Sequence, residues 1–415
     1  MSAATIRSGT KASAVNRSKI LPHLMAFGAF LAASAAILLS AGPAHALPAY
    51  ARQTGQPCAA CHTAFPELTP FGRRFKIGGY TLQGGDWNGP PISAMYMAGF
   101  THTNSPFDED AQPPGLKTND NLASQQLSAF LAGRLYGNLG SFIQVTADPT
   151  YGGVSLDSSD VRYADTFKLF GQDTIWGIDA NNSPTVEDPW NTAPSWGWPQ
   201  IASTIAPAFS PPLTHIEGGY AGIVGGAGAY MFWNDMLYAS LVGYKGLPSG
   251  ATQALGYGAG ADAITNVAPY WRVALEPHWG QHYLMVGTFG MYGEIVPGRQ
   301  YGYGRDDYLD VGFDSQYQYD GDQYSVTVKL TDILEWQTLN ATYALAGASN
   351  IHDTLTASRP TRRSFGTTRT ASASATLTSQ ARATATCMVP RPLHACRAAR
   401  ARIRAASPPA HRAMV

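Results

Sequence analysis

From Ile92 onward the chain alternates polar and apolar residues with period two, in segments of 9 to 15 residues separated by turn residues. The clearest segments are 124–137 and 141–147, joined around Asn138 and Gly140, then 218–233 and 236–245, joined at Asn234-Asp235. Residues 269–278 and 281–293 follow, then 307–319 and 324–331 around Asp320-Gly321-Asp322, and finally 335–346. Each junction has hairpin turn chemistry. Within 307–319, Asp310, Gly312, Asp314, Gln316 and Gln318 interleave with Leu309, Val311, Phe313, Tyr317 and Tyr319. One face suits a wet lumen and the other lipid, so residues 91–358 are expected to form an all-β, antiparallel outer-membrane β-barrel. Tyr270, Trp271, Trp279 and Tyr283, near strand ends, are expected in interfacial girdles, and the Pro-, Asn- and Trp-rich stretch 181–212 in an extracellular loop. A soluble β-sandwich shows the same alternation.

Composition separates these two readings. Charged residues make up 13% of the 415, about half the share usual in soluble domains, and there are 43 Gly and 21 Tyr, which favours the membrane barrel. The formal net charge of zero hides a segregation. Residues 1–46 hold four basic and no acidic side chains, and residues 359–415 hold 11 Arg with no Lys, Asp or Glu. The body between them carries all 28 acidic residues against 13 basic, a net of about −15, which excludes nucleic acid as its partner. In the first block Arg7, Lys11, Arg17 and Lys19 precede an uncharged run, 24–42, and the small-x-small triplet Ala44-His45-Ala46. That order predicts a secretory signal peptide over 1–46. Its 19 uncharged residues are just long enough for a retained anchor, but Ala and Ser make them weakly hydrophobic, and removal is expected.

Soon after the expected cleavage point stands Cys58-Ala-Ala-Cys61-His62, the spacing that attaches c-type haem. Two thiols three residues apart reach the two vinyl groups on one porphyrin edge, and the adjacent imidazole binds the iron axially. Residues 47–90 are therefore expected to be a monohaem cytochrome c segment carrying one covalent haem c, with Cys58 and Cys61 as anchors and His62 as proximal ligand. The alternatives are a Cys58–Cys61 disulfide or half a zinc site, for which no second Cys/His pair of zinc spacing follows. Candidates for the distal position are Met95, Met97 and His102. The alternation of ISAMYMAGFTHTN puts Met95, Met97 and Thr101 on one side and Tyr96, Phe100 and His102 on the other.

The stretch LPAYARQTGQPCAACHTAFPELTPFGRRFKIGGYTL resembles the N-terminus of the fused outer-membrane cytochrome-porins. Their best-known members are ferrous-iron oxidases of iron-oxidising bacteria. The likeness rests on the Arg-Gln-Thr-Gly lead, Cys58-x-x-Cys61-His62, Phe65-Pro66-x-Leu68, Phe71-Gly72, Phe75-Lys76 and Gly79-Tyr80. It implies a short haem segment ahead of a barrel, with electrons passing from an extracellular donor, Fe²⁺ in that branch, to periplasmic carriers. The surplus acid of the body suits attraction of cations, with Asp108-Glu109-Asp110 and Asp306-Asp307 as candidate sites against the plainer reading of solvated loop residues.

After Ser358 the pattern breaks: 57 residues contain no Tyr or Trp and a single Gly, and no alternation survives. A reading-frame shift near Ser358 is expected, leaving the barrel incomplete and Cys387 and Cys396 accidental; the rival is a basic, disordered tail for an acidic partner. The chain is thus expected to be an outer-membrane electron-transfer protein with ferrous-iron oxidase character. Its alternatives are a passive porin-like barrel with a haem plug, or a soluble periplasmic cytochrome.

Overall fold

The computed structural model describes residues 48–64, 67–85, 89–106, 115–193, 203, 205, 214–321, 324–366, 378–379 and 382–385. The signal segment, Phe65-Pro66, Asp108-Glu109-Asp110, Cys387 and Cys396 lie outside them.

The described chain is mostly strand. After helices α1 (Pro48–Thr54) and α2 (Cys58–Cys61), strands β1 (His62–Ala64) and β2 (Glu67–Leu68) and helix α3 (Pro70–Ile77), one large antiparallel sheet takes over. Its main strands are β3 (Ile92–Thr101), β4 (Asn121–Tyr136), β5 (Leu139–Ala147), β6 (Val154–Leu169), β7 (Gln172–Asn181), β8 (Val224–Trp233) and β9 (Leu237–Gly246). They are followed by β11 (Ala268–Leu275), β13 (His282–Val296), β14 (Asp306–Asp320), β15 (Tyr324–Leu339) and β16 (His352–Gly366). Each pairs with its neighbour in this order, a meander, and the short strands β10 (Ala263–Ile264) and β12 (His278–Trp279) add to β13. Tight connections such as Gly137-Asn138 and Phe170-Gly171 gather at one end; connections such as 247–267 and 340–351 gather at the other.

The sheet is inverted relative to a soluble protein. On β14 the buried residues are Asp306, Tyr308, Asp310, Gly312, Asp314, Gln316 and Gln318, polar apart from Tyr308 and Gly312, while Phe313 across the pleat is 58% exposed. On β15, Thr327, Lys329, Thr331 and Glu335 are buried against exposed Val328, Leu330 and Trp336. Cross-strand partners share a face, so this division carries from strand to strand.

The packed face is covered by the chain's own N-terminal segment, and the sheet curls around it. Arg73 hydrogen-bonds Gln318 on β14, while a Cβ at Gly79 would lie against Ala164 on β6. Those two residues are about 9 Å apart along a helical path. Six strand spacings, about 29 Å in a flat sheet, separate β6 from β14, so only curvature brings both within reach.

Five expectations need correction. Residues 324–339 form one strand rather than two, because alternation runs on through Asp332 and buried Ile333, and 340–344 turn into a short helix. The strand expected from 218 begins at Val224, since 215–217 form a 3₁₀ turn capped by Thr214 and Glu217. Tyr270 is no girdle residue: it shares the packed face with Arg272, and Trp271 takes the outer side. Residues 182–193, expected in an extracellular loop, instead fold back and are almost wholly buried. Beyond Ser358 the strand also continues, with β16 pairing to β15 as far as Gly366 opposite Tyr324.

Candidate functional site

Helix α2 is a single turn whose three-residue spacing sets the Cys58 and Cys61 side chains on one face. Both are thiols and half-buried. Burial pushes the Cys61 thiol up to about 11 and raises Cys58 as well. The following loop folds back on this turn. Thr69 donates to the Ala60 carbonyl at 2.5 Å, its backbone N–H donates to the Cys61 carbonyl at 2.9 Å, and its hydroxyl accepts from Gly72 N at 3.1 Å as the N-cap of α3. Pro70 at the first helical position suits the start of that helix. Gly72 is required here, since a Cβ would overlap the Cys61 carbonyl oxygen.

His62 leaves the turn in extended conformation, pairing with Leu68. Its Nδ1 lies 3.3 Å from the Glu67 carbonyl oxygen, which orients the ring. Burial lowers its pKa, keeping the imidazole neutral, the form that binds a metal. Two thiols and a neutral, oriented imidazole fit a c-type haem.

The segment is locked to the packed face by charge. Arg73 bonds Glu276 and Gln318, each at 2.7 Å, and Lys329 on β15 pairs with Glu67 while also reaching the carbonyls of Trp190 and Asn191. Tyr80 donates to Asp160 at 2.5 Å, and Lys76 donates to the Val186 carbonyl. Around them Arg162 pairs with Asp160 at 2.9 Å, and Arg272 with Asp314 at 2.5 Å and Asp188 at 3.2 Å. The sequence marks Lys76 and Tyr80 only as motif residues and Asp314 and Gln318 only as lumen-facing positions, and it does not single out Glu67, Arg73, Asp160, Arg162, Asp188, Arg272, Glu276 or Lys329. The available signal was a charged residue at alternate positions of otherwise membrane-like strands, as at Asp160, Arg162, Arg272 and Lys329.

Of the distal candidates, Met95 and Met97 face the packed side of β3, half-buried, opposite Ser128 and Gln126. His102 lies on the other side, just past the far end of the strand, with Nδ1 2.7 Å from Asp120 and a side chain 61% exposed. Ten residues of strand, about 33 Å, separate it from Ile92, whose carbonyl accepts from Arg52 of α1. Asp306 is fully buried at the start of β14, accepting from Ala341 N and Thr342 N, and Asp307 beside it sits 3.4 Å from Arg305, so neither is the solvated loop residue of the plainer reading and both are already engaged within the chain. Among the described residues no helix is long and apolar enough to cross a membrane. No protein-family model, curated protein sequence or solved structure matches this chain.

Proposed function

We propose that this chain is an outer-membrane β-barrel electron-transfer protein. Cys58 and Cys61 anchor one covalent haem c, and His62 is its proximal ligand. Electrons pass between an extracellular donor, with Fe²⁺ the first to be tested, and periplasmic carriers. The observation that carries this reading is the inverted sheet: apolar side chains cover the open face, buried charge lines the packed face, and the Cys58-x-x-Cys61-His62 turn is clasped against the latter. A sheet with Phe313, Leu330 and Trp336 outward and Asp314, Lys329 and Glu335 inward suits lipid outside.

Bound there, haem c supplies a one-electron iron couple. The chain's residues supply the rest. The thiols fix the porphyrin edge, the Glu67 carbonyl orients His62, and the Arg73–Glu276 and Lys329–Glu67 pairs hold the segment in the sheet's hollow. The burial of 182–193 on the same face favours this relay over a passive solute pore.

The test is expression of the full chain in a host that attaches c-type haem, followed by membrane fractionation. Covalent haem is expected in the outer membrane, with the mass gain on the peptide containing Cys58, Cys61 and His62, and absent in Cys58→Ala/Cys61→Ala. Reduction of that haem by external Fe²⁺ is expected in intact cells. Haem-free membranes from the wild type, or a soluble periplasmic product, would overturn the reading.

A further inference from the structure

We infer that Met95 is the distal haem ligand, an assignment that rests on the haem site proposed above. The geometry runs from the anchor to β3. Phe75, three residues along α3 from the Gly72 that abuts Cys61, sets its ring 4.9 Å from that of Tyr50, and the Tyr50 ring lies 6.5 Å from Phe142, which lies 6.0 Å from Phe130. Phe130 is the cross-strand partner of Ser93, and Met95 is one pleat further on the same face. An aromatic floor therefore extends from the anchoring turn to the foot of Met95. Helix α1 also reaches this corner, since Arg52 donates to the Ile92 carbonyl at 2.6 Å and Gln53 accepts from Arg134 N at 2.8 Å.

The competing donors are placed elsewhere. Met97 is one pleat, about 7 Å, further from α1. Met285 and Met291 lie on the packed face but are fully buried in apolar clusters, Met285 with Ile77, Trp190 and Tyr238, and Met291 with Tyr244, Phe289 and Ile295. Among the described histidines other than His62, His215 packs on Tyr308, His278 on Tyr283 and His282 on Trp279, His352 is exposed beside Thr338 at the long-connection end, and His102 faces away. The neighbours of Met95, including Ser128, Gln126, Gln144 and Thr146, bond one another and offer hard oxygen or amide groups, whereas a thioether is a soft ligand suited to haem iron.

The test uses the full chain with haem attached. The ferric wild type is expected to show the weak far-red charge-transfer band of methionine-sulfur ligation. That band should vanish in Met95→Ala and persist in Met97→Ala and Met285→Leu. Met95→His, which retains a ligand and so guards against a folding defect, should keep its haem, lose the band and show a lower midpoint potential. Persistence of the band in Met95→Ala, its loss in Met97→Ala, or its absence from a haem-loaded wild type would each overturn the assignment while leaving the haem site standing. A wild type without covalent haem would overturn both.

Discussion

Lys329 shows what a single charge does inside this sheet. Its ammonium is buried with the Glu67 carboxylate and caps two carbonyls of the 182–193 segment, so it ties β15, the N-terminal segment and the inserted chain together. Lys329→Met leaves a buried carboxylate without its counter-charge, and a loss of about 3–5 kcal/mol is expected in equilibrium unfolding. Adding Glu67→Gln should restore most of it, and a double mutant no more stable than the single would show that the pair is not coupled. Lys76 gives a pH dependence. Burial, then the nearby Arg162, lowers its pKa from 10.5 to about 8. A lysine whose folded pKa is depressed binds fewer protons folded than unfolded between those values, so its penalty is full below about pH 8 and is relieved as pH rises towards 10.5. The stability difference between wild type and Lys76→Met should therefore move in favour of the wild type across that window. A difference independent of pH would show that Lys76 titrates normally.

At the scale of the element, alternation was the legible signal, and it located most strands to within a few residues. Its errors have local causes. The segment 324–339 reads as broken at Asp332, yet an isolated polar residue on the open face does not interrupt backbone pairing, and β15 runs straight through. Tyr270 reads as a girdle residue by composition, whereas its phase with Arg272 sets it inside; period outranks residue type. The outer face also yields a test of environment. Phe313→Arg places a guanidinium on the open face of β14, which is expected to cost about 2–4 kcal/mol where that position meets the lipid midplane. On a water-exposed face the same substitution stays within about 0.5 kcal/mol. Unfolding from bilayers measures which applies, and a small value would argue against membrane insertion.

For the whole molecule, the two ends of the sheet differ, and this predicts orientation. The tight turns lie at the end where the N-terminal segment meets Ile92, and the long connections lie opposite; on the proposed outer-membrane reading this places the turns in the periplasm. With Cys387 and Cys396 replaced by Ser, Gly302→Cys at the long-connection end should react with an impermeant maleimide on intact cells. Gln281→Cys at the turn end should react only after the outer membrane is opened. The reverse result would invert the assigned orientation.

The sequence by itself determined most of the strands, because side-chain period is a local consequence of the extended backbone, and it marked Cys58, Cys61 and His62 as a candidate haem-attachment motif, because that motif is contiguous in the chain. Only the tertiary structure decided that 182–193 turns back into the sheet, that Arg73 meets Glu276, and that Met95 rather than His102 shares a side with the anchoring turn. Those are pairings between residues far apart in the chain, such as Arg73 with Gln318, fixed by how the sheet curls and by the need of each buried charge for a partner, and no local pattern encodes either.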